Sequence, residues 1–190
     1  MAKPTQLAHV VFQTRRFDEM LNWYQTALEV DIRFKQDLLA FLSFDSEHHR
    51  IALVNLSIAD PEDKAKLSAG RGTVEHVSFT YASLNVLLEN YTRLKDLNIE
   101  PYWCIHHGMT LSMYYGDPDG NQLEFQIDIY DTAEAGNEFL NSEAFAKNPI
   151  GVEFDPQDMI DKKAKGVSED VLLEYKEGPV KFPLPNASNR

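Results

Sequence analysis

Hydrophobic and polar positions alternate with period two over residues 6–13 (QLAHVVFQ), which predicts a β-strand. The next stretch, FDEMLNWYQTAL, switches period and carries Phe17, Met20, Leu21, Tyr24 and Leu28 at helical spacing. Three strand-like runs follow, VDIRFKQ, LLAFLSF and HHRIALVNL. The order then repeats. TVEHVSFTY reads as a strand, and LNVLLENYTRLKDLN reads as an amphipathic helix with Ser83 as its N-cap. PYWCIHH, TLSMYYG and NQLEFQID read as three further strands, so the chain spells β-α-β-β-β twice. His9-Val10-Val11-Phe12 returns as His76-Val77-Ser78-Phe79, and at the same offset of 67 residues Leu21 matches Leu88 and Tyr24 matches Tyr91. Identities at one offset, inside elements that recur in the same order, point to a duplicated unit.

The segment Gly116-Asp117-Pro118-Asp119-Gly120-Asn121 predicts a tight turn between the last two strands, since Pro fixes φ and Gly supplies a positive φ. A polar, Gly-containing connector over residues 60–72, with a short helix starting at Asp60-Pro61, separates the repeats. The modules are expected at residues 1–70 and 71–131, followed by an extension over 132–190, all within one structural domain. The expected class is α+β, with paired βαβββ modules forming an open barrel. In the extension, DTAEAGNEFLNSEAFAKN reads as a helix, NPIGVEFD as a short strand and PQDMIDKKAKG as a helix, before a Pro-rich arm. Its expected role is to cover the core or to reach a neighbouring subunit.

With 190 residues and 43% hydrophobic content, the chain is long and apolar enough for a buried core. The formal charge of −12 repels phosphate backbones and anionic lipid surfaces, so neither a nucleic acid nor a membrane is an expected partner. The single cysteine, Cys104, excludes an internal disulfide and a multi-thiolate zinc site, and fits a reducing compartment. No apolar run approaches the ~18 residues of a spanning helix, and MAKPTQ lacks the apolar core of a secretory signal. A cytoplasmic location is the expectation.

Six histidines, His9, His48, His49, His76, His106 and His107, fall in predicted strands or at their ends. Taken singly, each reads as an ordinary hydrogen-bonded residue. His9 and His76 differ because they occupy one position of the two repeats, so symmetric packing of the modules makes neighbours of them. A third group comes from the last strand, whose alternation puts Leu123, Phe125 and Ile127 on one face and Gln122, Glu124 and Gln126 on the other. If the apolar face packs on the helix, Glu124 points away from it. Two imidazoles and a carboxylate that leave coordination positions open suit a divalent iron binding substrate and dioxygen together, and zinc or manganese accepts the same donors. In TLSMYYG, Thr110, Ser112 and Tyr114 share a face, and the Tyr114 hydroxyl could orient a substrate oxygen. His48 and His49 open the fourth predicted strand, where alternation lets only one of them face inward.

The chain resembles the vicinal oxygen chelate superfamily, and within it the short, one-domain type I extradiol ring-cleavage dioxygenases. The residues that carry the likeness are Ala8-His9-Val10, Glu47-His48-His49-Arg50-Ile51-Ala52, Glu75-His76-Val77, the run from His107 to Tyr114 and the run from Asp117 to Glu124. The Asn148-Pro149-Ile150-Gly151 segment also resembles the extension of the short members. The resemblance implies His9, His76 and Glu124 as Fe(II) ligands, His49 as the acid/base with His48 as the alternative, Tyr114 as a residue supporting the site, and a polar active-site role for His107. It further implies a catechol-type substrate chelated through both oxygens, O2 as co-substrate, ring opening beside the diol, and a homo-oligomer. Phe34, Phe41, Tyr102, Trp103 and Tyr130 supply aromatic surface for a pocket.

Two other readings share the architecture. A glyoxalase-type isomerase or lyase usually takes a further carboxylate ligand near the end of the first module's last strand, where this chain has Leu53-Val54-Asn55. A non-catalytic protein that holds an aromatic compound would not need His9, His76 and Glu124 to meet at a metal.

Overall fold

The computed structural model describes residues 7–59, 61 and 74–179. Their fold is α+β, and they fall into two compact units, the first drawn from residues up to 73 together with 117–120, the second from 74–116 and 121 onward. The predicted connector, apart from Pro61, and the arm beyond residue 179 lie outside the described residues.

In the first unit the order is β1 (Val10–Thr14), α1 (Phe17–Leu28), β2 (Asp31–Lys35), β3 (Leu39–Ser43), β4 (Ile51–Asn55) and α2 (Leu56–Ala59). The strands form one sheet in the order β1-β4-β3-β2, with β1 parallel to β4 and the other pairs antiparallel. Helix α1 buries Phe17, Met20, Leu21, Tyr24 and Ala27, a stripe at the i, i+3, i+4 spacing of one helical face. On β3 and β4, Ala40, Leu42, Ile51 and Leu53 complete this core. The Tyr24 hydroxyl donates to Asp117 Oδ2 at 3.1 Å. Asp117 belongs to the predicted tight turn, which forms as expected: Gly120 takes φ 85° and donates its N–H to the Asp117 carbonyl at 2.9 Å.

In the second unit β5 (His76–Thr80), α3 (Leu84–Asp96), β6 (Trp103–His106), β7 (Thr110–Gly116) and β8 (Gln122–Asp128) repeat the order of the first. Helix α3 starts 67 residues after α1, and Ser83 caps it by accepting the Val86 N–H. The sheet order is β5-β8-β7-β6-β9, the first four positions reproducing β1-β4-β3-β2. The additional strand, β9 (Val152–Glu153), comes from the extension and pairs antiparallel with β6. Around it lie α4 (Ala133–Leu140), α5 (Glu143–Lys147), α6 (Pro156–Ala164) and α7 (Glu169–Leu172).

Three local expectations change. The single helix expected over residues 131–148 is two, because Ser142 accepts the Phe145 N–H at 3.2 Å and starts a new helix at Glu143. Leu56, read as the end of a strand, begins α2. His48 and His49 do not open the fourth strand. They sit in the irregular segment before β4, which begins at Ile51. Asp45 organises that segment by accepting from the Ser43 hydroxyl, the Glu47 N–H and the Arg50 guanidinium at 3.1, 3.0 and 2.9 Å.

Candidate functional site

The register of the second sheet sets Ser78, Glu124, Tyr114 and Trp103 side by side across β5, β8, β7 and β6. Period-two alternation sends Leu123, Phe125 and Ile127 to the helix side, all fully or almost fully buried. Glu124 therefore lies on the opposite face, yet only 5% of it is exposed. A buried carboxylate requires partners, and Glu124 has four. His76 Nε2 stands 3.1 Å from Oε2, the Tyr114 hydroxyl donates to Oε1 at 3.0 Å, and the hydroxyls of Ser112 and Ser78 also donate to the carboxylate. Burial pushes the Glu124 carboxyl up, and these hydrogen bonds outweigh it, holding the group at about 2. The reciprocal effect appears on His76. Its bond to Glu124, opposed by burial and reinforced by Glu75 on Nδ1, lifts the imidazole to about 9.

Tyr114 links this pair to His107, whose Nε2 lies 3.1 Å from the Tyr114 hydroxyl and 3.9 Å from Glu124 Oε1. His107 Nδ1 bonds to the carbonyl of Ile150. Burial lowers the His107 imidazole despite that carbonyl, and burial together with Glu124 pushes the Tyr114 phenol well above its ordinary range. The Trp103 and His76 rings flank Tyr114 with centroids at 5.0 and 5.3 Å. His106, next in sequence to His107, instead accepts the Gly108 N–H on Nδ1 and bonds to the Leu173 carbonyl through Nε2, a packing role.

In the first unit the corresponding row is Val11, Ala52, Phe41 and Phe34. The counterpart of Glu124 is thus Ala52, adjacent to the Leu53-Val54-Asn55 run. None of these residues is a carboxylate. His9 directly precedes β1 and is exposed. Its ring lies 4.3 Å from that of His49, which stacks on Phe41 at 4.4 Å with 14° between the planes. His48 is turned outward, with 71% of its side chain exposed, and its Nδ1 lies 2.6 Å from His49 Nδ1. His49 is half-buried, and burial, with His9 and His48 beside it, lowers its imidazole. The structure therefore favours His49 over His48 as the residue beside His9.

Of the residues singled out from sequence, His76, Glu124, Tyr114 and His107 come together in the second unit, while His9 and His49 come together in the first. Within either unit, among the described residues, no three His, Cys, Asp or Glu side chains are grouped as a complete metal site. Tyr102 and Trp103 flank Tyr114, whereas Tyr130 packs on Phe139. The sequence pattern alone does not single out Glu75, Ser78 or Ser112. Ser78 lies one strand position beyond Val77 in the repeated motif, and Ser112 lies on the Tyr114 face of its strand.

The donor set fits a divalent cation. Glu124, held well below the usual carboxylate range, has an oxygen 3.1 Å from His76 Nε2, so a carboxylate and an imidazole nitrogen of the kind that bind such cations stand together. Glu75 holds the other ring nitrogen of His76, the arrangement that orients a ligating imidazole.

The profile of the Glyoxalase/Bleomycin resistance protein/Dioxygenase superfamily matches residues 6–125. The protein belongs to that superfamily. Two curated relatives from Rhodococcus globerulus are similar over most of both chains. Biphenyl-2,3-diol 1,2-dioxygenase 2 is 40% identical over 82% of this chain and 80% of its own length. Biphenyl-2,3-diol 1,2-dioxygenase 3 is 34% identical over 90% of this chain and 89% of its own length. Among solved structures, lactoylglutathione lyase from Agrobacterium tumefaciens superposes with a TM-score of 0.51 at 18% identity, over 66% of this chain and 96% of that one, a likeness of fold. Among the described residues, no helix is long and apolar enough to cross a membrane.

Proposed function

We propose that the protein is an extradiol ring-cleavage dioxygenase, opening a catechol-type aromatic diol beside its hydroxyl groups and incorporating both atoms of O2. The observation that carries this reading is the pairing of half-buried His76 with buried Glu124, with Tyr114 and His107 beside them, in a chain similar to two biphenyl-2,3-diol dioxygenases. His9, His76 and Glu124 are the proposed ligands of a divalent metal, Fe(II) by the chemistry of the reaction. When bound, that metal supplies open positions for both catechol oxygens and for dioxygen, and acidifies the bound hydroxyls.

The chain's own residues supply the rest. The Tyr114 hydroxyl donates to Glu124 Oε1 and lies 3.1 Å from His107 Nε2. A substrate oxygen arriving there can take that hydrogen bond or donate to the vacated acceptor, which orients the diol. His49 is the proposed acid/base, an imidazole whose pKa is lowered by its partial burial and by His9 and His48 beside it, which favours the uncharged ring that can accept a proton. The row Val11, Ala52, Phe41 and Phe34 supplies apolar surface next to His49 for the aromatic ring. A neutral aromatic diol is compatible with a chain of net charge −12. A cytoplasmic location and a homo-oligomeric state complete the proposal.

The test is to load the protein with ferrous iron without air, add a panel of catechols and admit oxygen. Uptake of oxygen with a yellow ring-opened product is expected. Iron-loaded protein that binds a catechol without consuming oxygen would falsify the assignment in favour of a binding protein.

A further inference from the structure

The extension of the second unit closes on the segment His106-His107-Gly108 from several sides. The Phe139 ring fills the space where Gly108, at φ 90°, would carry a side chain. The Leu173 carbonyl pairs with His106 Nε2 at 2.9 Å. Gly151, at φ 112°, lies so close to the His106 and His107 backbone that any Cβ there would strike it, and only glycine fits both the angle and the approach. The Ile150 carbonyl meets His107 Nδ1.

Asn148 shapes this turn. It is only 4% exposed, and all four hydrogen-bonding positions of its amide, two donors and two acceptor lone pairs, are filled. Its Oδ1 accepts the N–H groups of Ile150 and Gly151 at 3.1 and 2.8 Å, and its Nδ2 donates to the carbonyls of Gly151 and Gly178, both at 2.8 Å. With both following N–H groups held on one side-chain oxygen, the Ile150 carbonyl is fixed in its direction. A carbonyl can only accept, so the His107 nitrogen facing it must carry hydrogen. The neutral ring then presents a bare Nε2 to Tyr114.

We infer that Asn148 is a positioning residue of the site: through the Ile150 carbonyl it fixes His107 as the Nδ1–H tautomer and aims the bare Nε2 at Tyr114 and Glu124. The role of the extension is thereby to set the tautomer of a histidine that belongs to another element, in the manner of the carbonyls that orient imidazoles in metal and triad sites. The consequence for turnover rests on the function proposed above, whereas the tautomer does not.

The experiment reads both separately. In metal-free wild-type protein, 15N NMR correlation of the His107 ring is expected to give a protonated Nδ1 and an unprotonated Nε2. Asn148→Ala should shift His107 toward the Nε2–H form, and in the iron-loaded protein should lower kcat by about 10- to 100-fold with a much smaller change in KM. Asn148→Asp keeps the oxygen that accepts from Ile150 and Gly151 while losing the bonds to the Gly151 and Gly178 carbonyls, so it should retain the Nδ1–H tautomer and most of the turnover at a lower melting temperature. A wild-type His107 protonated on Nε2 overturns the inference, as does a folded Asn148→Ala protein with unchanged tautomer and kcat. Should Asn148→Ala not fold, loss of the Nδ1–H form in Asn148→Asp overturns it equally. A wild type with the expected tautomer and no ring opening would refute the proposed reaction and leave the positioning role intact.

Discussion

The two βαβββ copies share strand order, helix position and register, and differ in what they set across the middle of the sheet. In the second copy that row is Ser78, Glu124, Tyr114 and Trp103, and in the first it is Val11, Ala52, Phe41 and Phe34. A carboxylate with four donors stands in one copy where a methyl group stands in the other. The copies also end differently. Sheet order runs on from β6 to β9 in the second copy, while β2 is the last strand of the first, with Arg33 at a register shift between Ile32 and Phe34. Duplication thus provided two equivalent scaffolds. One was filled with groups that hold charge and protons, the other with apolar surface and a histidine, His49, stacked on Phe41 beside His9.

The largest expected effect comes from erasing the polar half. Glu124→Ala makes the second row resemble the first, and metal analysis should find the protein depleted of iron with oxygen uptake abolished; a stoichiometric iron content would remove Glu124 from the ligand set. Next is His49→Phe, which deletes the titrating group of the first copy and keeps an aromatic ring against Phe41. It should retain iron and catechol binding while single-turnover ring opening slows by about 10²- to 10⁴-fold. An unchanged rate would discard its acid/base role. Smaller still is Phe41→Ala, which thins the apolar row. Steady-state kinetics should show KM for an aromatic diol rising by about tenfold with kcat nearly preserved; a fall confined to kcat would mean that the row acts through His49 instead.

The smallest effect concerns pH. Hydrogen bonding from the Glu47 N–H, then from Arg50 and Ser43, lowers the Asp45 carboxyl below 3.8 despite some desolvation. A carboxyl with a lowered folded-state pKa stabilises the fold above its unfolded value and loses that contribution as acid protonates it. Thermal melts of wild type should therefore weaken as pH falls below about 4, and Asp45→Asn should flatten that limb while lowering stability slightly at neutral pH. Parallel acid limbs in the two proteins would exclude Asp45 as the cause.

Much of the fold was legible beforehand. The switch of hydrophobic period between strands and helices located α1 and α3, and the five matches at one offset carried the repeat. Local polar chemistry was harder to read. Ser142 divided the expected helix of the extension because its hydroxyl competes for a backbone N–H. His48 and His49 lay outside the strand because Asp45 gathers the preceding loop onto its carboxylate.

By itself, the sequence determined the duplicated scaffold and the side of its strand on which Glu124 falls, because period and offset are properties of a linear string. Only the tertiary structure decided that Glu124 is buried and held ionised against His76, that His49 and not His48 packs between His9 and Phe41, that Ala52 is the counterpart of Glu124, and that Asn148 holds the carbonyl facing His107. These are facts of register and hydrogen bonding between segments far apart along the chain, and a one-dimensional pattern does not specify which distant carbonyl will meet which ring nitrogen.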